Sequence, residues 1–578
     1  MPRCLLGRVG AVAIGCLAVG LAACTPDLPA SVSEGSTVTV GWSGTLTSAN
    51  AAVATGATQG NREVASLTRG RFARADGGEI APDEGFGRVE VIDPDPESFT
   101  VRYDLAETAW SDGIPVDGAD LMLAWAAGSN ALAPDAFDSG PGDLTTSTEV
   151  PELDEFDRRI DVRFDAPVRD WHTALDVAAP AHVVGMAALG IDDPMEAKQA
   201  VITAIDDGDA DDLAAIAEEW NTGFELDPGA AELPERLTVS SGPYRLDTVE
   251  EDDAGDRVRL VVNREYDGST PPTYEAIELA PAGATRGLEQ IGDGLDVVQV
   301  SPTEENFSAV RALERRDHQV ATTHQGALWA LLLRTDRGVF RSPEARLAFL
   351  RTVPRSDLRS AGAGAWSEAY AASDSLLFDP ESSGYTVATE DAGLRQALNG
   401  SESEAAVERD RAGVPAGTTV CVLHDSREPF AGRAVQALRT AIAESESGWR
   451  VRGCGAKGAD TAAQRRTDWQ AVLTRIPIPE SPRELAAQWG SDAPIASDTE
   501  TAAQRDRILT ELARTADPYV ARDLRVALET LVVSDAVAVP LATDPVVTVT
   551  DREVEGVQPA SGRSATLLSG AAGWSPAD

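Results

Sequence analysis

Five histidines, five cysteines and one run of closely spaced acidic residues are the side chains here whose chemistry could go beyond packing. The histidines are His172, His182, His318, His324 and His424, and none stands at metal-ligand spacing from another histidine or a cysteine. The sequence has no His-Glu-x-x-His, no Cys-x-x-Cys, no Gly-x-Ser-x-Gly turn and no Gly-Lys-Ser/Thr phosphate loop. No catalytic residue, cofactor or metal centre is therefore expected, and the chain does not read as an enzyme. Asp207, Asp209, Asp211 and Glu218 fall at positions 1, 3, 5 and 12 of a calcium-loop pattern. Position 6 of that loop needs glycine for its sharp turn, and Asp212 stands there. Leu213 to Ala217 reads as helix, so the same acids also suit a helix N-terminus, where capping and the dipole favour them.

The cysteines divide by position. Arg3 and Arg8 form a basic start, and no residue from Val9 to Ala23 is charged. That run is short for a membrane span, which needs about 20 apolar residues, and fits the apolar region of a secretory signal. It ends Leu21-Ala22-Ala23-Cys24. Small residues before a cysteine resemble the bacterial lipobox, so residues 1–23 are expected to be removed and Cys24 to carry lipid. A diacylglycerol plus an amide-linked chain anchors firmly, whereas a single chain holds only marginally. Cys4 and Cys16 leave with the signal, and Cys421 and Cys454 remain. An even remainder in an exported chain suggests a disulfide, worth roughly 3–4 kcal/mol for a loop of this length. Two buried free thiols are the alternative.

These residues sit in a chain of 578 residues, 43% hydrophobic, with a net charge of −45. The length suffices for two or three domains with large cores, and no second apolar stretch approaches a membrane span. So negative a chain is a poor partner for nucleic acid. Lysine occurs only at Lys198 and Lys457. Residues 24–36 are polar with two prolines and read as a flexible tether. Thr37 to Trp42 alternates as a strand, residues 87–105 as a hairpin turning at Asp93-Pro94-Asp95-Pro96, and Ile160 to Phe164 as another strand. Helices are expected around 195–220, 303–315, 342–352, 430–445, 502–516 and 518–533. Residues 418–454 read strand, helix, strand, a β-α-β unit with a parallel sheet. The fold class is α/β in more than one lobe.

Tyr103 to Trp125 reads YDLAETAWSDGIPVDGADLMLAW. Its Trp110-Ser111-Asp112-Gly113, followed by Pro115 and Asp120, resembles the signature of bacterial solute-binding protein family 5, the peptide- and oligopeptide-binding lipoproteins of ABC importers. Ser241-Gly242-Pro243-Tyr244-Arg245-Leu246, then Leu260 to Asn263 and Tyr266, is similar to a second family motif. Weaker matches follow in the family's order: Pro180 to Val184, Gly294 to Val297, Pro343 to Ala348, Val539 to Leu541 and Glu555 to Val557. Together they run from about residue 37 to 560. The motifs read as turns and core anchors more than as a ligand site.

The resemblance implies a two-lobed periplasmic-binding-protein clamshell with an extra subdomain on the first lobe. Residues 37–285 and 538–578 would form the first lobe and 286–537 the second. A monomer would close on a small solute, by default a peptide, and deliver it to a membrane permease from the outer face of the cytoplasmic membrane. Peptide-binding members hold the ligand's amino group with an Asp in the stretch matching Asp468 to Pro479; here no Asp stands at the expected place after Leu473, and Arg475 lies nearby. Arg334 follows Leu331 to Leu333 where the family tends to have Asn, and would suit an anionic group. Aromatics line ligand pockets, so Trp42, Asn50, Trp329, Arg334, Trp366 and Trp469 are the candidate ligand residues. A lipoprotein of the same fold acting in cell-envelope lipoglycan assembly is the rival function.

Overall fold

In the computed structural model, residues 28–577 are described apart from 77–78, 141, 155–157, 228–231, 253–254, 399–401, 459–467, 494–498 and 564. The signal sequence and Cys24 lie outside the described residues. The second half of the expected tether does not hang free. Ser31 Oγ donates to the Pro272 carbonyl at 2.8 Å, and the first strand runs Ser33–Trp42, four residues before the sequence pattern begins.

The frame is one mixed sheet of ten strands. In spatial order these are Arg450–Ala456, Thr419–Asp425, Ala471–Pro477, Gln319–Leu333, Ala538–Thr550, Val297–Val300, Ser33–Trp42, Tyr274–Pro281, Gly255–Val262 and Tyr244–Asp252. The expected β-α-β unit is present: Thr419–Asp425 and Arg450–Ala456 pair in parallel, with helix Pro429–Glu444 between them. Cys421 and Cys454 are bonded across those two neighbouring strands, Cα to Cα 5.8 Å.

The run Leu328 to Leu333 shows why apolar content is continuous there. Trp329, Leu331 and Leu333 enter one core with Phe340, Phe349 and Phe430, while Leu328, Ala330 and Leu332 enter another with Leu423, Val472 and Trp489. A strand covered on both faces cannot alternate apolar with polar. This strand and Ala538–Thr550 are the long ones, and they pair antiparallel over nearly their whole length. The register shifts between His324 and Leu328, where Gly326 takes φ +61.

A separate four-stranded antiparallel sheet holds Gly87–Asp93, Thr100–Leu105, Arg159–Arg163 and Glu152–Leu153. Helices Gly118–Ser129, Ala181–Leu189, Pro194–Asp207 and Ala210–Thr222 pack with it around Tyr103, Trp110, Trp125 and Phe164, all fully buried. This is the extra subdomain. The expected helix at 195–220 is two, broken at Gly208, whose φ of +65 caps the first. The acidic cluster resolves as a cap, because Asp209 Oδ1 accepts from the amides of Asp211 and Asp212 at 3.0 and 3.1 Å. Proline stands at the first turn of helices Pro194–Asp207, Pro343–Leu350, Pro482–Trp489 and Pro518–Ser534, each behind an Asp or Ser cap. There its fixed φ suits the helix and its missing N–H costs nothing.

The signature residues explain themselves here. Asp120, fully buried, accepts from its helix's own cap, the Asp117 amide, at 3.0 Å and from the Ala181 amide at 2.8 Å. Lys198 Nζ, 2% exposed, reaches Asp120 at 2.8 Å and Asp117 at 3.0 Å and donates to the Pro115 carbonyl at 2.5 Å. Asp112 meets His182 Nε2 at 2.8 Å. The motif joins loop, helix and helix inside the subdomain.

Candidate functional site

The helix Gln59–Thr68 positions one wall of a cleft. Thr58 caps it by accepting from the Asn61 amide, and Gly60 lets its first turn approach the Thr45 carbonyl, which a Cβ would reach within 2.4 Å. Gln59, Arg62, Glu63 and Ser66 then fall on one face at helical spacing and line the cleft. Beyond the helix the chain continues along the same wall through Arg71 and Arg74. The floor carries Trp42, Gln299, Gln325 and Val546, from four strands of the large sheet. His172 and Asp176 come from the subdomain, and Glu480 and Glu484 from the start of helix Pro482–Trp489. The cavity measures about 810 Å³ and continues past Glu63 and Gln325 into a second of about 450 Å³. That suits a small organic ligand.

Polar groups in the cleft are largely engaged with one another. Glu63 accepts from Trp42 Nε1 and, at 2.9 Å, from Gln59 Nε2. Glu480 accepts from the Arg563 amide at 2.6 Å, and Glu484 pairs with the Arg563 guanidinium. Arg69, 6% exposed, spends its guanidinium on the carbonyls of Ala178, Thr68, Val239 and Ala49 at 2.8 to 3.1 Å. Burial pushes its pKa down to about 10, so it stays charged at neutral pH. Burial also holds the His172 imidazole below its usual range, and it is neutral there.

Of the six candidate ligand residues, the structure brings Trp42 to the cleft and turns the others to packing. Asn50 is fully buried and donates to the Trp220 carbonyl at 3.0 Å, tying the loop to the subdomain. Trp366 donates to the Thr303 carbonyl at 2.7 Å and packs edge-on to Phe307. Trp469 is the shelf under the Arg334 guanidinium at 4.5 Å, and Arg334 is held by Asp336 at 2.8 Å. Trp329 stacks on Phe430 at 4.7 Å and donates to Asp544 at 2.9 Å. Asp544 and Glu428 also bind Arg475, at 3.1 and 2.7 Å. Carboxylates are thus present beside Arg475, already satisfied by the chain's own cation.

His324, Asp379 and Glu381 approach one another closely enough to share a cation. The histidine argues against it. Its Nδ1 accepts from the Gly326 amide at 3.2 Å, which leaves the proton on Nε2, 3.2 Å from Asp379 Oδ1. A metal would need the lone pair of that same nitrogen.

Solved structures of the same shape cover nearly the whole chain. The periplasmic EDTA-binding protein EppA superposes with a TM-score of 0.75 over 96% of this chain and 98% of its own, at 18% identity. The ABC-transporter substrate-binding protein CtaP of Listeria monocytogenes gives 0.67 over 94% and 100%, at 14% identity. The chain has the fold of the family 5 solute-binding proteins. The oligopeptide-binding protein AppA of Bacillus subtilis, solved with a nonapeptide, shares this binding-protein fold at 0.59 over 94% and 99%, at 12% identity. These neighbours are binding proteins, not enzymes. No protein-family model matches the sequence. Uncharacterised lipoproteins of Mycobacterium tuberculosis and Mycobacterium bovis are 29% identical over 295 residues, 49% of this chain and 48% of theirs. The chain spans about half the length of the curated relatives it matches. No helix among the described residues is long and apolar enough to cross a membrane.

Among the cleft residues that the sequence did not flag are Arg62, Arg71 and Arg74. A signal was there: four arginines between residues 62 and 74, in a chain with 94 acidic and 49 basic residues.

Proposed function

We propose that the chain is the solute receptor of an ABC importer, held by lipid on Cys24 at the outer face of the cytoplasmic membrane. It captures a small solute between its lobes and delivers it to a permease, with no bond broken. One lobe comprises residues 37–285 with the return from 538, the other 286–537, and closure turns about the connections between them. The observation that carries this function is the cleft itself, in a fold shared with proteins named for binding EDTA and oligopeptides. Peptide is the default ligand class.

The test is a mass spectrum of what co-purifies with the soluble form lacking residues 1–24, denatured only after native purification. A solute in stoichiometric amount supports the receptor, and short peptides support the default class. An empty cleft, with no thermal shift from a library of peptides and small metabolites, would end the proposal in favour of envelope assembly.

A further inference from the structure

Building on the receptor function proposed above, we infer that the cleft selects a solute bearing an oxyanion, a carboxylate or phosphate, seated against Arg71 and flanked by Arg62 and Arg74. The chain as a whole repels anions, with a net charge of −45. The cleft wall from 62 to 74 inverts that balance, carrying four arginines against Glu63.

What decides the sign of the site is which of these charges are already satisfied. Glu63, Glu480 and Glu484 have donors from the chain, as described above, and Asp83 accepts from Ser269 Oγ at 2.8 Å and from the Gly85 amide at 3.1 Å. Arg69 is committed to carbonyls and Arg563 to Glu484. Arg62 and Arg74, both exposed, each donate to one backbone carbonyl, that of Ala57 at 2.5 Å and that of Ser569 at 3.0 Å. A carbonyl leaves the cationic charge unneutralised. Arg71 is the least satisfied. Its Nε is buried without a hydrogen-bond partner, and its nearest carboxylate oxygen, Asp176 Oδ1, stands 3.7 Å away and is itself buried without one. Asp176 is thus an ion-pair partner too distant to accept a hydrogen bond from this Nε, and a guanidinium left with one buried N–H unmatched gains from an incoming oxyanion, which it can grip with two parallel N–H···O bonds. Lysine would supply only a point charge.

The experiment compares the co-purified solute of the wild-type soluble chain with that of Arg71→Ala. Trialanine, its C-terminal amide and citrate are then titrated into emptied protein. An oxyanion-bearing solute, at least tenfold weaker in Arg71→Ala and partly restored by Arg71→Lys, is the expected result. Trialanine should bind at least tenfold more tightly than its amide. Should Arg71→Ala fail to fold, the double variant Arg62→Ala with Arg74→Ala, at exposed side chains, carries the comparison. A neutral or cationic solute, or an amide that binds as well as the acid, overturns oxyanion selection and leaves the receptor intact. An empty cleft that none of the three probes fills overturns oxyanion selection, and the receptor function falls with it only if the library of peptides and small metabolites also gives no thermal shift.

Discussion

Lys198 is one of two lysines in the chain, and it is buried beside two aspartates. A lone buried charge is far more costly than a matched set. Lys198→Met is therefore expected to lose about 3–5 kcal/mol, because Asp117 and Asp120 are left without their cation. Chemical denaturation would measure this, and an unchanged midpoint would mean that water or protonation replaces the ammonium. Asp143 tests the opposite situation, a carboxylate with no cation. Burial first, and then Asp170, raise its pKa to about 6. The folded chain thus binds this proton more tightly than the unfolded one. The stability it contributes is full below about pH 4 and is lost as the pH rises through about 6. Asp143→Asn should be more stable than the parent at pH 7 by about 1–2 kcal/mol, allowing for partial solvent screening, and should match it near pH 4. Parallel melting curves across that range check it; a constant offset at every pH would assign the effect to packing.

At the scale of elements, Gly326 is the residue on which the long strand turns. Its φ of +61 disfavours any side chain, and a Cβ would stand 2.4 Å from the Arg563 amide nitrogen. Gly326→Ala should cost about 1–3 kcal/mol, read from the thermal midpoint; no loss would mean that the 562–563 segment yields. Local elements were the legible part of the sequence. The β-α-β unit at 418–454, the hairpin at 87–105 and helix Pro518–Ser534 each carry their periodicity, caps and turns within a few dozen residues. The cleft was not legible in the same way, since its floor and walls come from segments as far apart as Trp42, Asp176, Gln325, Glu480 and Leu567. Tryptophan misled for a physical reason. Trp329, Trp366 and Trp469 bury their rings and find partners for their polar edges, as a core tryptophan does, and sequence cannot tell that from a pocket wall.

At the scale of the whole molecule, the fold of the binding proteins was legible through ordered motifs, while the ligand was not, because the motifs build the subdomain, turns and the core of the large sheet. Trp110 and Asp120 identify the fold from fully buried positions. Attachment is the other property of the whole chain. Cys24→Ala should move the protein from the membrane fraction to the soluble one on cell fractionation. If it stays with the membrane, something other than lipid on that cysteine holds it there.

The paired strands Gln319–Leu333 and Ala538–Thr550 run side by side, hydrogen-bonded above and below the bend at Gly326. These two threads of chain therefore grip each other as well as their outer neighbours in the sheet. A protease that nicks one thread severs a covalent link but leaves the ladder and the second thread in place. A chain cut once at the bend should still migrate as a single body under native conditions and part into fragments only when denatured. Such tolerance to damage would suit the extracytoplasmic receptor proposed above, since no machinery outside the cell waits to refold it.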